Sequence, residues 1–203
     1  MEAGIGQRQG NVIVISGPSG VGKSTVCRRL CEKLPAEFSI SVTTRKRRPN
    51  EENDRDYQFV TPEAFERLKD SDGLLEWAQV YGHMYGTPLR AVTSAIEEGR
   101  NIILEIDIQG CLQVKSKLPN TMAFFLLPPT PDEQRRRIEG RRTDAADAIR
   151  QRLSKADGEI QYANESGCYD CFVINDELEE TVRQIHERIV NLEKARSGSG
   201  NAR

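Results

Sequence analysis

Eight residues near the start of the chain, Gly17-Pro-Ser-Gly-Val-Gly-Lys-Ser24, constrain its fold more than any other stretch. They match the pattern G-x-x-x-x-G-K-[ST] and lie between a β-branched run, Asn11–Ser16, and a helical segment, Ser24–Leu34, that Pro35 ends. Strand, glycine-rich loop and helix are the arrangement that a phosphate-binding loop (P-loop) needs. Glycines let backbone N–H groups close around phosphate oxygens, and the helix N-terminus adds a partial positive charge.

Two side chains of this loop carry its chemistry. Lys23 is predicted to reach the β- and γ-phosphates of a nucleotide, and the Ser24 hydroxyl is predicted to ligate Mg²⁺. The alternative is a glycine-rich turn followed by a chance Lys-Ser pair. The readable strand and helix on either side favour the P-loop.

Composition narrows the class of protein. A chain of 203 residues suggests one domain, with room for an inserted subdomain. The 31 acidic and 29 basic residues nearly balance, which argues against a protein that coats nucleic acid. No apolar run approaches membrane-spanning length and the N-terminus lacks a signal-peptide pattern, so we expect no membrane partner and a cytoplasmic location.

The five cysteines are expected to be free thiols in a reducing compartment. A zinc site would need the pair Cys27 and Cys31, one helical turn apart, to meet the pair Cys168 and Cys171. No histidine supports such a site.

The strand–helix rhythm predicts an α/β fold, a three-layer core around a central five-stranded parallel sheet. The apolar runs expected to form its strands are Asn11–Ser16, Phe38–Val42, Asn101–Asp107, Ala123–Leu127 and Phe172–Asn175.

Three other segments have distinct patterns. Residues 43–95 break the rhythm with a basic cluster, an acidic cluster and three tyrosines, which predicts a small inserted subdomain with short strands such as Tyr57–Val60. Thr130 is predicted to cap a helix, with Pro131 in its first turn and Glu133 completing a capping box. The last helix, about Leu178–Leu192, is amphipathic, and residues 197–203 are expected to be disordered.

Further motifs follow the P-loop in order: Ser41-Val-Thr-Thr-Arg45, Arg48-Pro-Asn-Glu51, Asp56-Tyr57-x-Phe59, Leu75-Glu76-Trp77-Ala78, Tyr85-Gly86-Thr87 and Glu105-Ile-Asp107-Ile-Gln109-Gly110. Together they resemble guanylate kinase over about residues 11–191. The resemblance implies one domain over 1–203, with a P-loop kinase core (about 11–42, 96–128 and 156–196), a GMP-binding subdomain (about 43–95) and a helical lid (about 129–155). It implies the Mg²⁺-dependent reaction of ATP with GMP to give ADP and GDP.

The resemblance also implies which residues bind ATP: Gly17, Pro18, Ser19, Gly20, Val21, Gly22, Lys23, Ser24, Thr25 and Asn175. Asn175 would lie on the adenine side, although a loop asparagine without a ligand is a plausible alternative. Arg137, Arg141 and Arg152 would be lid arginines that close over the phosphates. Without the resemblance, an exposed basic helix would account for this arginine-rich segment.

On the acceptor side, Arg45 and Arg48 suit a phosphate because each guanidinium can donate two parallel hydrogen bonds. Alone they would be read as a solvated basic loop. The resemblance adds the hydroxyls of Tyr57 and Tyr85 to the same phosphate, although such tyrosines are more often half-buried in a core.

Base choice depends on a carboxylate. Guanine presents N1–H and N2–H₂ donors side by side, whereas adenine presents a bare N1 acceptor that a carboxylate would repel. The resemblance assigns Glu76 to this edge, with Asp107 near the base and with Ser41 and Thr87 completing the contacts. Asp107 could instead be a structural strand-end residue, and Thr87 could cap a helix that begins at Pro88.

Three functions remain in competition. The first is an ATP:GMP phosphotransferase, which also acts on dGMP and serves purine nucleotide metabolism. The second is a guanylate-kinase-like protein-binding module, although such modules typically lack the P-loop and the lid arginines. The third is a kinase for another nucleoside monophosphate. The sequence leaves open whether the protein is a monomer or a homo-oligomer.

Overall fold

A central parallel sheet of five strands forms the middle of the molecule. The computed structural model describes the backbone of residues 10–140 and 146–199, and in the second range it describes the side chains of 154 and 156–195. The strand order is β2-β7-β1-β8-β9, and every pairing is parallel. These strands are β1 (Val12–Ser16), β2 (Ala36–Phe38), β7 (Asn101–Glu105), β8 (Met122–Leu127) and β9 (Cys171–Ile174).

Helices cover both faces of this sheet, which confirms the predicted three-layer α/β core. The seven helices of the described residues are α1 (Lys23–Lys33), α2 (Pro62–Asp70), α3 (Leu89–Glu97), α4 (Ile108–Lys117), α5 (Pro131–Glu139), α6 (Ala146–Ser166) and α7 (Leu178–Ser199). On one face α1 and α7 pack against alternate residues of the strands, such as Ile13 and Ile103. On the other face α3 and α4 pack against the residues between them, such as Val14 and Leu104, and α6 joins α4 beside Phe125.

The predicted strand Phe38–Val42 does not form as one element. Ala36–Phe38 pairs with β7 at the edge of the central sheet, whereas Val42 and Thr43 form β3 of a second sheet. The chain leaves the first sheet at Ser39 and enters the second within three residues. A continuous apolar run cannot show this change of sheet, because residues on both sides of it are buried.

The predicted insert is a four-stranded sheet with a small core of its own. Its strands lie in the order β4-β3-β6-β5, with bounds β3 (Val42–Thr43), β4 (Gln58–Phe59), β5 (Leu74–Val80) and β6 (His83–Pro88). Helix α2 packs on this sheet through Phe65, against Val42 and Leu74. Helix α3 lies within the predicted limits of the insert, but Val92 and Ala95 are buried against the central sheet. The sheet of the insert therefore ends at Pro88.

Helix α5 and the first part of α6 lie within residues 129–155, the segment where a helical lid is predicted. Thr130 caps α5, because its hydroxyl accepts a hydrogen bond from the Glu133 backbone N–H at 3.1 Å. The Thr130 half of the expected capping box therefore forms, whereas the Glu133 carboxylate binds Arg136 and Arg137 on the same helix.

The last helix is longer than the sequence pattern predicts. Its predicted apolar face forms, with Val182, Ile185 and Ile189 fully buried. The helix continues to Ser199, so the prediction of disorder from residue 197 is wrong for its first three residues. Residues 200–203 lie outside the described part of the chain.

All five cysteines are free thiols. Cys27 and Cys31 lie on α1, and the Cys168 sulfur lies 2.6 Å from the sulfur of Cys111 on α4. Within the described ranges, no helix is both long enough and apolar enough to cross a membrane.

We expect Ile185→Ala to lower the free energy of unfolding by about 2–5 kcal/mol, because it leaves a cavity where α7 seals the core. Ile174→Ala is the matched control, since that isoleucine is 57% exposed while Ile185 is fully buried. Its loss should stay within about 0.5 kcal/mol. Urea unfolding of both variants measures the difference, and equal losses would contradict the packing of α7.

Candidate active site

The site lies at one edge of the central sheet, where β1 and β7 end side by side. The two strands are parallel neighbours, with Ile15 opposite Glu105. The Ser16 hydroxyl donates a hydrogen bond to the Ile106 carbonyl at 2.7 Å, which joins the two ends. Ligands of open parallel sheets bind at the carboxyl ends of the strands. The loop after β1 and the acid after β7 are therefore brought together by strand pairing alone.

The loop between β1 and α1 has the backbone that its glycines allow. Gly20 and Gly22 have φ values of 81° and 97°, a region that other residues rarely adopt. The Lys23 ammonium lies over the loop and donates to the carbonyls of Gly17 at 2.7 Å and Pro18 at 3.2 Å. The lysine is thus placed at the mouth of the loop.

The Ser24 side chain faces Glu105, an acid that is not among the predicted site residues. Its hydroxyl donates to the Glu105 carboxylate at 3.0 Å, and Asp107 lines the same cavity. A hydroxyl beside carboxylates is a hard oxygen donor set of the kind that Mg²⁺ prefers, with phosphate and water supplying the remaining ligands. The residues therefore fit a magnesium ion. Among the described residues, no three or more His, Cys, Asp or Glu side chains form a metal cluster by themselves.

Helix α5 and the end of β9 support the P-loop from behind. Gln134 donates to the Ser19 carbonyl at 2.9 Å, and a Cβ on Gly20 would come within 2.4 Å of the Ile138 side chain. Asn175, which is 6% exposed, donates to the Val21 carbonyl at 2.7 Å. Asn175 thus binds the loop backbone, and its predicted contact with adenine stays a prediction.

Arg137 belongs to this support. Its guanidinium donates to the Asn175 carbonyl at 2.9 Å and to the Glu133 carboxylate at 2.9 Å. It lies against the P-loop rather than on an exposed helix face. Arg141 lies outside the described residues, and the side chain of Arg152 is not among those described. Their predicted lid roles therefore stay predictions.

Arg45 is held in an aromatic cage within the insert. Its guanidinium donates to the Tyr85 hydroxyl at 3.1 Å and lies 5.3 Å from the ring centre of Tyr57 and 5.7 Å from that of Phe59. Cation–π contacts of this kind are stronger away from water, and the Arg45 side chain is only 13% exposed. Arg45 is therefore packed, whereas Lys46 and Arg47 of the same basic loop are exposed.

Glu51 holds in place Arg45 and Arg48, the two arginines predicted to bind a phosphate. Its carboxylate accepts both terminal nitrogens of Arg45, at 2.7 and 3.0 Å, and the backbone N–H of Arg48 at 2.8 Å. Burial alone would raise the pKa of Glu51, but these hydrogen bonds lower it below its usual value. Glu51 therefore stays ionised and fixes the plane of the Arg45 guanidinium.

At the other end of the cavity, two acids approach each other. The Glu76 carboxylate is 3% exposed and accepts a hydrogen bond from the Thr87 hydroxyl at 2.6 Å. The pKa of Glu76 is raised to about 7, mainly because the carboxyl is buried; the Thr87 hydrogen bond opposes this rise and the nearby Asp107 carboxylate adds to it. Burial also raises the pKa of Asp107, whose carboxylate caps α4 at the Gly110 N–H, 2.9 Å away.

Thr87 and Asp107 differ in whether they take the structural roles that were the alternatives to a contact with GMP. Pro88, not Thr87, is the residue that precedes α3, and no side chain caps that helix. The Thr87 hydroxyl is fully buried and serves Glu76 instead. Asp107 has the structural role of a helix cap and also lines the cavity, so the two interpretations of Asp107 are compatible.

One cavity of about 410 Å³ joins most of the predicted residues. They are Ser19, Gly20, Gly22, Lys23, Ser24, Ser41, Arg45, Arg48, Tyr57, Glu76, Tyr85 and Asp107. A second cavity of about 740 Å³ shares Ser19, Lys23 and Asp107 with it and reaches Tyr162 on α6. Thr25 is exposed on α1, and Thr87, Arg137 and Asn175 support the lining from outside.

The cavity residues missing from the predicted site include two acids that bind predicted side chains, Glu51 and Glu105. A signal for each is present in the sequence. Glu51 stands three residues after Arg48, which permits a turn that folds its carboxylate back, and Glu105 stands two residues before Asp107 at the end of the same strand. The signal for Glu51 lies close to its partners Arg45 and Arg48, whereas the partner of Glu105, Ser24, comes from a distant part of the chain.

A parallel sheet with a phosphate-binding loop after β1, facing a second anion pocket across the same edge, defines a P-loop protein of the nucleotide-kinase class. A family model described as guanylate kinase matches residues 9–192. The chain is 44% identical over 185 residues to the guanylate kinase of Caldanaerobacter subterraneus subsp. tengcongensis, covering 91% of this chain and 88% of that one. It is 45% identical over 185 residues to that of Lactococcus lactis, covering 89% of each.

A solved structure agrees with these relatives. The guanylate kinase of Anaplasma phagocytophilum superposes with a TM-score of 0.73 at 32% identity, covering 93% of this chain and 86% of that one. The protein therefore belongs to the guanylate kinase family.

The contact of α5 with the P-loop can be tested with two glycines that have the same φ angle. Gly20 and Gly82 both have φ of 81°, but a Cβ on Gly82 would meet nothing within 4 Å. We expect Gly82→Ala to cost about 1–2 kcal/mol of stability from backbone strain. Gly20→Ala should cost about 1–3 kcal/mol more, because its methyl group collides with Ile138. Equal shifts in thermal unfolding would contradict the contact.

Proposed function

We propose that this protein transfers the γ-phosphoryl group of ATP to GMP, giving ADP and GDP, and that it accepts dGMP as well. The relatives named guanylate kinase support this reaction. A cytoplasmic role in purine nucleotide metabolism follows from the same proposal and agrees with five free thiols.

The observation that carries the proposal is the composition of the 410 Å³ cavity. Lys23 and Ser24 of the P-loop, the cations Arg45 and Arg48, and the buried acid Glu76 all line it. The residues that we assign to the donor phosphate, the acceptor phosphate and the base thus line one cavity. Phosphoryl transfer needs mainly this kind of positioning and charge neutralisation.

The acceptor phosphate would bind between Arg45 and Arg48. Two phosphate groups must approach each other for transfer, and the cationic side chains offset their repulsion. The Tyr85 hydroxyl accepts a hydrogen bond from Arg45 and keeps its own proton, which can be donated to the phosphate. Tyr57 stacks at the same place, with its ring centre 5.9 Å from that of Tyr85.

The base would bind at Glu76. A carboxylate can accept the N1–H and N2–H₂ groups of guanine together, whereas adenine offers it a lone pair at N1. Thr87 holds one carboxylate oxygen from behind. Asp107 and Ser41, which line the same cavity, would complete the guanine contacts. The residues assigned to the acceptor bind its phosphate or its base, and none is assigned to the 2′-hydroxyl of the ribose. We therefore expect dGMP to be accepted as well.

The donor would lie along the P-loop and the 740 Å³ cavity beside α6. Lys23 would neutralise charge on the β- and γ-phosphates, and Gly17–Thr25 would bind them through backbone N–H groups. Arg137, Arg141 and Arg152 would surround the transferred group, with Asn175 near the adenine. Closure of the lid would exclude water and so limit hydrolysis of ATP.

Magnesium would be held by Ser24, with Glu105 and Asp107 close by. When bound to the nucleotide, the ion neutralises phosphate charge and orients the transferred group. Ser24 would supply a ligand directly. Glu105 would orient the Ser24 hydroxyl through the 3.0 Å hydrogen bond between them.

The proposal is tested by a coupled assay of ADP release with GMP, AMP, UMP and dTMP as acceptors. GMP should be preferred strongly, and Lys23→Ala should lower kcat by about 10²–10³-fold, because one preorganised charge at the transferred group is lost. Lys33→Ala is the control, since Lys33 lies at the far end of α1 and pairs with Glu179. Near-normal turnover of a folded Lys23→Ala variant would overturn the P-loop assignment.

The acceptor site is tested by measuring KM for GMP and KM for ATP separately in each variant. We expect Arg45→Ala and Arg48→Ala to raise KM for GMP by about 10–100-fold, because a charge-assisted hydrogen bond contributes about 1.5–3 kcal/mol, and to change KM for ATP little. Arg47→Ala is the control, because Arg47 comes from the same basic segment and bonds the Glu51 carbonyl. Equal effects on both substrates would move these residues out of the GMP site.

The base site is tested by proton release. Glu76 has a pKa of about 7 in the free protein, and guanine requires its ionised form. GMP binding at pH 7 should therefore release about half a proton from Glu76, and affinity should fall as the pH falls below 7. Calorimetry in two buffers of different ionisation enthalpy measures the release. The GMP phosphate also titrates, so Glu76→Gln is the reference, and equal release from both proteins would contradict the assignment.

A further inference from the structure

Strand β5, which carries Glu76, is the edge strand of the inserted sheet. It pairs with β6 only, in the order β4-β3-β6-β5. An edge strand normally presents unpaired N–H and C=O groups on its outer side. Here the outer side of β5 faces helix α4 of the core, and two side chains of that helix take its backbone groups.

Gln113 binds the backbone of Trp77 at two points. Its side-chain amide donates to the Trp77 carbonyl at 2.7 Å, and its side-chain oxygen accepts the Trp77 N–H at 3.2 Å. One turn further along α4, Lys117 donates to the Leu75 carbonyl at 2.5 Å. The two bonded residues of β5 are the immediate neighbours of Glu76. The side-chain amide of Gln113 thus takes the place of a further strand.

The third contact reaches Glu76 itself. A Cβ on Gly110 would lie 2.4 Å from the Glu76 carboxylate oxygen Oε2. Gly110 lies in the first turn of α4 with no left-handed backbone that would require glycine. Glycine is an unfavourable helix residue, so its place here is explained by the close approach of the carboxylate.

The three contacts lie on one face of one helix. Gly110, Gln113 and Lys117 are spaced by three and four residues, which places them in a row along α4. The same helix begins at Asp107, whose carboxylate it fixes through the Gly110 N–H. A single helix therefore holds both Asp107 and Glu76, one through its cap and one through its side.

We propose that Gln113, with Gly110 and Lys117, is a positioning and specificity-determining residue: it sets the place of Glu76 and so the preference for guanine, without touching the nucleotide. This inference rests on the proposed function. It goes further by assigning discrimination between bases to the contact between the core and the insert.

The need for such a contact follows from the charges. Glu76 and Asp107 repel each other when both are ionised, and the Thr87 hydroxyl bonds only one oxygen of Glu76. Leu75 packs with Val114 in the apolar core and so holds β5 against the sheet and α4. This contact does not fix the position of β5 along the helix, because the hydrophobic effect is non-directional. The two hydrogen bonds of Gln113 fix the register of β5 along the helix.

The test uses GMP and inosine monophosphate (IMP), which lacks the 2-amino group. The GMP:IMP ratio of kcat/KM reports whether both oxygens of Glu76 are in place. We expect Gln113→Ala to lower this ratio about tenfold and to leave KM for ATP unchanged, because a small misplacement of a binding group removes much of its effect. Gln184→Ala is the matched control, a helical glutamine that bonds Glu180 on α7, remote from the cavity. It should keep the wild-type ratio.

A double-mutant cycle separates positioning from simple loss of stability. If Gln113 acts through Glu76, Gln113→Ala should change the GMP:IMP ratio little in a Glu76→Gln background. A purely structural role would lower activity with both acceptors equally in either background, and that result would overturn the proposal. Gly110→Ala provides a second route, because its methyl group displaces the carboxylate while alanine favours the helix.

The outcomes also distinguish this inference from the proposed function. A wild-type protein without preference for GMP over AMP would refute the proposed function. A guanine-selective wild type whose Gln113→Ala and Gly110→Ala variants keep the wild-type GMP:IMP ratio would refute only the role of α4. A fall of that ratio in both variants, absent in Gln184→Ala, supports the proposal.

Discussion

The parallel pairing of β1 with β7 is the constraint on which the site depends. It sets Ile15 opposite Glu105, so the P-loop and Asp107 leave the sheet at the same edge. Both strands are buried on both faces by apolar residues, and a shift of one residue would turn the side chains of one strand to the wrong face. The polar chemistry is thus placed by the packing of residues that take no part in it.

Polar groups in the cavity bond one another rather than solvent alone. Arg45 is paired with Glu51, Glu105 accepts a hydrogen bond from Ser24, and Glu76 accepts one from Thr87. Each contact holds a side chain in place while leaving it with further hydrogen-bonding capacity. Burying a charge is costly unless it is paired or hydrogen-bonded, so these contacts make a preorganised polar site possible in a protein whose formal net charge is −2.

Much of the fold could be predicted from the sequence, because β-branched runs and helical periodicity are local signals. The P-loop, the five-stranded sheet and most of the cavity residues follow from such signals and from the ordered motifs. The division of Phe38–Val42 between two sheets could not be predicted, since apolar residues are buried in either sheet. The partners of Glu105, Gln113 and Asn175 could not be predicted either, because each depends on contacts between distant segments.

One of those distant contacts has a consequence for how the protein is made. The Val21 carbonyl of the P-loop is bound by Asn175, 154 residues later, and Arg137 joins the two segments through the Asn175 carbonyl. During synthesis the nucleotide-binding motif emerges from the ribosome first, and domains of this size fold as units. The loop therefore lacks its support until β9 has been added at the edge of the sheet, so a nascent chain that already carries the complete motif still lacks a finished binding loop.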